Sequence, residues 1–294
     1  MINSKPIEES PPWIGVEGRL RAGRRRRAPV FAITSGKPGV GKTNLVANLV
    51  EALRIQRRRV IAIDAALGHA HLSRFFQLDA RYSLSDFFQG DAPLDKIIVS
   101  AADGVFLLPG ASDLTRLDQT QKLALLTELD ALPCDWDAAL VDAGSGISDP
   151  VTYFVSASQE IVIVITPETS ALADAYALIE TLTSNRREKR FRILANQVTD
   201  RREAMQLFDT LSQSALRFLN VSLDFLGWIP YDDQLAACAA SSQTVITRAP
   251  EAPASRAIAE LAQRLLASTL VNARIKGSPQ FFLRRIFENA RVEA

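Results

Sequence analysis

The stretch "VFAITSGKPGVGKTNLVANLV", residues 30–50, decides the fold. It opens as a short apolar, β-rich run, passes through a glycine-rich turn, and continues over residues 42–55 with the spacing of a helix. Gly36 to Thr43 fits the pattern G-x-x-x-x-G-K-[ST] without a mismatch, and the match is specific because a strand precedes it and a helix follows. In such a loop Gly39 and Gly41, with Val40 between them, let the backbone turn its amides toward phosphates. Lys42 reaches the outer phosphates, Thr43 stands at the helix start where its hydroxyl ligates Mg²⁺, and Asn44 follows in the first turn.

Outward from this loop, short apolar runs alternate with helical patterns. Strands are expected at 30–35, 59–64, 104–110, 138–144, 160–167, 191–197 and 224–230. The helices between and after them include residues 42–55, 114–132, 170–184 and 253–268. Continuous apolar strands separated by helices imply a mostly parallel sheet covered on both faces, so the fold expected is a doubly wound α/β domain. No internal repeat and no long linker divides it.

The chain has 294 residues, 34 basic and 33 acidic, so its overall charge does not point to nucleic acid. Basic residues cluster only at "RIQRRR" (54–59) and "NRREKRFR" (185–192), both at helix-to-strand connections. Two cysteines, Cys134 and Cys238, give neither a metal-ligand spacing nor a disulfide framework, which suits a reducing cytoplasm. No run approaches ~18 uninterrupted apolar residues, so any membrane contact is expected to be peripheral. Residues 1–28, with the run Arg24 to Arg27, read as a tail before the first strand, either solvated or docking a partner. The expected organisation is thus a tail at 1–28, a nucleotide-binding domain at 29–272 and a terminal helix at 273–294.

Two acids stand at strand ends, Asp64 in "AIDAALG" and Asp142 in "LVDAGSG". An acid at the C-terminal edge of a parallel strand beside a phosphate loop holds Mg²⁺ or its waters, which makes Thr43, Asp64 and Asp142 the metal candidates.

Together, "TSGKPGVGKTN", "IDAALGHAHL", "LVDAGSGISDPV", "SALADAYALIETL", "FRILANQV" and "GWIPYDDQL" resemble the MinD/ParA family, and closely its flagellar branch, FlhG (also called FleN). The resemblance runs from residue 30 to about 288. It implies a deviant Walker A P-loop NTPase that binds ATP and Mg²⁺, dimerises with ATP, and limits flagellar number. Lys37, a second lysine just inside the loop, is the mark of the deviant motif, and its counterparts reach across the dimer to the partner's nucleotide. Pro38 stands where the family has glycine, which stiffens the loop and removes one possible amide donor. The adenine contacts map to Asn196, which is equally readable as a strand-end turn residue, and to the loop around Pro230 and Tyr231. The implied partners are a signal-recognition-type GTPase (FlhF-like) and a flagellar transcription activator (FleQ-like). The short activator helix that some members carry at the N-terminus has at best the fragment "GRLRAG" here.

Ala66 departs from the family, which has a catalytic Asp there, so hydrolysis is expected to be slow or lost; His69 and His71 are the polar candidates to replace it. Two readings of the same site follow, an ATP-driven switch that resets by hydrolysis and a scaffold that keeps its ATP. A third, a partition-type DNA-binding ATPase, has only the two basic clusters to support it. In "SPQFFLRRIFENARVEA" (278–294), Phe282, Leu283, Ile286, Phe287 and Ala290 share a helical face with arginines off it. Such a helix over 279–291 suits an anionic membrane surface or the chain's own domain.

Overall fold

The computed structural model describes residues 28–66, 72–78, 80–110 and 136–271. The expected tail as far as residue 27, His69 and His71, the helix over 114–132 and the terminal helix over 279–291 lie outside the described residues. In chain order the elements are β1 (Val30–Ser35), α1 (Lys42–Ile55), β2 (Val60–Ala65), α2 (Leu72–Phe75), α3 (Leu84–Gln89), α4 (Leu94–Ile97), β3 (Val99–Ala102), β4 (Val105–Leu108), β5 (Ala138–Ser145), α5 (Asp149–Ala157) and β6 (Glu160–Ile165). There follow α6 (Thr169–Arg186), β7 (Arg190–Val198), α7 (Arg201–Phe218), β8 (Ser222–Pro230), α8 (Asp233–Ala240), α9 (Val245–Arg248) and α10 (Pro253–Val271).

The strands form one eight-stranded sheet in the order β3-β4-β2-β5-β1-β6-β7-β8. Every pairing is parallel except β3 with β4. Because β1 lies between β5 and β6, the winding direction reverses there, and the loop leaving its C-terminal end opens into the crevice where doubly wound sheets take their ligands. Alternation along β1 divides the core. Val30 and Ala32 face the layer of α5, α6 and α7, while Phe31 and Ile33 face α1 and α10. Phe31 is wholly buried, which contributes about 1.5–3 kcal/mol.

The seven expected strands are all present, with ends moved by a few residues. The eighth, β3, was not expected. It is only four residues long and half exposed, so it lacks the apolar run of the buried strands. Its signal was the Asp103-Gly104 pair: Ala102 faces Val105, and Gly104 takes φ 78° in the two-residue hairpin turn. Helix α7 also lay outside the expected set, although it is capped at both levels of its first turn. Asp200 accepts the Glu203 N–H at 2.9 Å, and the Glu203 carboxylate accepts the Thr199 N–H at 2.6 Å.

The basic clusters are largely taken up by the fold. Arg54 makes a paired contact with Glu51 at 2.7 and 2.8 Å, Arg58 lies 3.8 Å from Asp137, Arg59 covers the Phe106 ring, and Arg190 pairs with Asp224 at 3.6 Å.

Candidate functional site

The glycine-rich loop is shaped by what packs on it. A Cβ on Gly36 would lie 2.1 Å from the carbonyl of Asp174 in α6, so only glycine permits that helix to rest on the loop. Gly41 takes φ 92° and forms the N-cap of α1 without a side-chain cap, which leaves the first amides of that helix without intrahelical partners. Asn196, at 4% exposure, donates from Nδ2 to the Val40 carbonyl at 2.8 Å and braces the loop from β7, while its buried Oδ1 makes no hydrogen bond.

Lys42 is buried and donates to Ser35 Oγ at 2.9 Å, and that hydroxyl donates in turn to the Lys37 carbonyl at 2.6 Å. Burial lowers the Lys42 pKa, and the nearby Asp142 carboxylate opposes the fall. Lys37 donates to Glu168 and, at 2.9 Å, to Ser170 Oγ at the start of α6.

Asp64 and Asp142 face each other across the β2–β5 ladder, both nearly inaccessible. Asp64 organises the loop that follows it: its two oxygens accept the N–H of Ala66 at 3.2 Å and of Leu72 at 3.3 Å. Asp142 is different. Neither of its oxygens has a hydrogen bond of good geometry. Burial pushes its carboxyl up to about 7; the Asp64 charge adds to the rise, while the adjacent Thr43 hydroxyl and Lys42 oppose it. The two buried carboxylates lie beside a helix N-terminus, the Thr43 hydroxyl and the Lys42 ammonium, and their oxygens fit a hard divalent cation completed by water and phosphate oxygens. Among the described residues no three His, Cys, Asp or Glu side chains converge.

A cavity of about 450 Å³ opens against the loop. Gly39, Gly41, Lys42, Thr43 and Asn44 form one wall, Arg74 and Phe75 of α2 a second, and Ala239, Ala240 and Ser242 a third. Arg74, Phe75 and the α8 end were not among the sequence candidates, because nothing in their local pattern marks them; α2 is a single turn brought there by packing on α1. Asn196 borders Gly41, and Tyr231 is 62% exposed at the end of β8, but neither they nor Pro230 belong to the wall of this cavity.

A strand, an uncapped helix start, a buried lysine and paired strand-end acids are the parts of a nucleotide-binding loop, and residues 31–245 match the model described as the CobQ/CobB/MinD/ParA nucleotide binding domain. The chain belongs to the MinD/ParA family. It is 34% identical to the antiactivator FleN of Pseudomonas aeruginosa, over 88% of this chain and 94% of that one. It is 33% identical to the flagellum site-determining protein YlxH of Helicobacter pylori, over 68% of each chain. The MinD cell division protein of Aquifex aeolicus superposes with a TM-score of 0.63 at 28% identity, over 82% of this chain and 97% of that one. These relatives bear out the resemblance to the flagellar branch of the MinD/ParA proteins, and the eight-stranded sheet is the P-loop fold that the motifs implied.

Proposed function

We propose that this MinD/ParA protein is an ATP-dependent dimerising switch that regulates flagellar number or placement and hydrolyses its ATP slowly. The observation that carries the reading is the meeting of the uncapped α1 start, buried Lys42 and Thr43 on one cavity, with the buried Asp142 carboxyl beside Lys42 and the Thr43 hydroxyl. The loop amides from Gly36 to Thr43 bind the phosphate chain and the Lys42 ammonium neutralises its outer oxygens. Thr43, Asp64 and Asp142 hold Mg²⁺, which supplies charge neutralisation at the phosphates. Asn196, Pro230 and Tyr231 close over the base, and the walls from α2 and α8 exclude water from the nucleotide.

Lys37 serves the partner protomer. Its present contacts with Glu168 and Ser170 are on the surface, where an ion pair is worth about 0–1 kcal/mol, so exchanging them for a phosphate is inexpensive. Hydrolysis is slow because the Ala66 methyl offers no acceptor to orient an attacking water, while binding does not depend on that position. The flagellar assignment comes from the relatives named FleN and YlxH. The partners that fit it are a flagellar signal-recognition-type GTPase, a flagellar transcription activator and, through residues 279–291, the anionic inner face of the cytoplasmic membrane; no described helix is long and apolar enough to cross a membrane.

Single-turnover ATP hydrolysis measured beside the mass of the protein, with and without ATP and Mg²⁺, tests this reading. ATP should double the mass and persist in the dimer for many minutes. A protein that stays monomeric with bound ATP is not a switch of this kind.

A further inference from the structure

Asn48, in the second turn of α1, has no accessible surface, and an amide so placed must find its partners inside the protein. Its Nδ2 donates to the Asn44 carbonyl and to Asn44 Oδ1, each at 2.8 Å. Its Oδ1 accepts the backbone N–H of Ile246 at 3.2 Å. That N–H lies in the first turn of α9, where a helix has no acceptor of its own to offer.

These contacts settle the orientation of two amides in sequence. A backbone N–H only donates, so the Asn48 atom facing Ile246 is the oxygen, and the atom facing Asn44 is the nitrogen. The Asn44 atom facing Asn48 is therefore an oxygen, which leaves Asn44 Nδ2 as the outward group. Asn44 lines the cavity beside Gly41, Lys42 and Thr43, and its Nδ2 makes no hydrogen bond among the described residues.

We propose that Asn48 is a positioning residue that locks the Asn44 amide with its NH₂ toward the cavity, where it donates to a phosphate oxygen of the bound nucleotide. The inference rests on the nucleotide-binding reading above. Its physical basis is that a phosphate oxygen at neutral pH only accepts. A reversed Asn44 amide sets lone pairs against lone pairs, so an orientation fixed in advance by the Ile246 N–H removes the non-productive rotamer before ligand arrives. The same hydrogen bonds tie α1 to α9, and so to the α8 end that forms the third wall of the cavity.

The test is a double-mutant cycle on ADP and ATP affinity, measured by calorimetry with Mg²⁺ present. Asn44→Ala deletes the donor, and Asn48→Asp keeps the acceptor for Ile246 but turns the face toward Asn44 from donor to acceptor. Each should weaken both nucleotides roughly tenfold or more, as for the loss of a hydrogen bond to a charged group. The double variant should be no weaker than Asn44→Ala alone, because both act through one bond. Additive losses would show that Asn48 only supports the fold, and an unaffected Asn44→Ala would remove the donor; either overturns the proposal. Asn48→Ala carries the same cycle if the aspartate variant does not fold. In the unaltered protein, the Asn44 side-chain NH₂ resonances should move on adding ADP, and their remaining in place refutes the contact without any substitution. Lys42→Ala separates the two levels: if it still binds nucleotide at full strength, the nucleotide site itself is misassigned, whatever the cycle gives.

Discussion

Replacing Asp142 with asparagine should make the nucleotide-free protein more stable at alkaline pH. The carboxyl titrates near 7 in the folded chain against 3.8 for an ordinary aspartate, because it is buried at 1% exposure and faces Asp64. With the folded pKa raised, the native state holds its proton more tightly than the unfolded chain does. The stability this contributes is fully present below about pH 4 and is lost as pH rises through about 7. Three units at about 1.36 kcal/mol each give a loss of roughly 4 kcal/mol by pH 8, of which about 2 kcal/mol is already gone at pH 5.5. Asparagine mimics the protonated acid at every pH. Its advantage should therefore grow from near zero at pH 4 to about 2–4 kcal/mol at pH 8, a rise in melting temperature of roughly 4–16 °C. Thermal unfolding of both proteins across that range, without Mg²⁺ or nucleotide, reads the difference directly. Melting curves that stay parallel from pH 4 to pH 8 would refute the buried-charge argument. The same substitution removes a proposed metal ligand, so the Mg²⁺-dependent part of nucleotide affinity should disappear as stability rises.

Ala66→Asp should raise single-turnover hydrolysis by an order of magnitude or more and shorten the life of the ATP-bound dimer, since one positioning group is commonly worth ~10²-fold in rate; equal rates in the two proteins mean that another group already holds the water. Lys37→Ala should leave ATP affinity within about twofold and weaken ATP-dependent dimerisation, and normal dimers by light scattering contradict a role across the interface. Deleting residues 279–291 should abolish sedimentation with anionic vesicles in the presence of ATP while nucleotide binding persists, because a dimer pairs two weak anchors; unchanged sedimentation places the membrane contact elsewhere. Gly36→Ala should disrupt the loop, as its methyl meets the Asp174 carbonyl at 2.1 Å, and a variant with full nucleotide affinity would show that α6 yields there.

By itself the sequence determined the sheet class, seven of the eight described strands, the start of α1 at Lys42 and the phosphate loop, because these depend on local periodicity and on glycines and charges at fixed spacing. It also determined the pair Asp64 and Asp142, since an acid at the end of an apolar strand is visible without any tertiary contact. Tertiary structure alone decided what surrounds them. The hairpin strand β3 is held by its pairing with β4, not by an apolar run of its own. Arg74 and Phe75 become a cavity wall only because a single-turn helix packs on α1, and Ser242 reaches the same cavity from a segment distant in sequence. The pKa of Asp142 arises from burial and from register across the sheet, quantities that no neighbouring residue in the sequence encodes. The orientation of Asn44 is set by a backbone N–H some two hundred residues away, at Ile246, because a buried amide takes its direction from whichever donor the fold places against it.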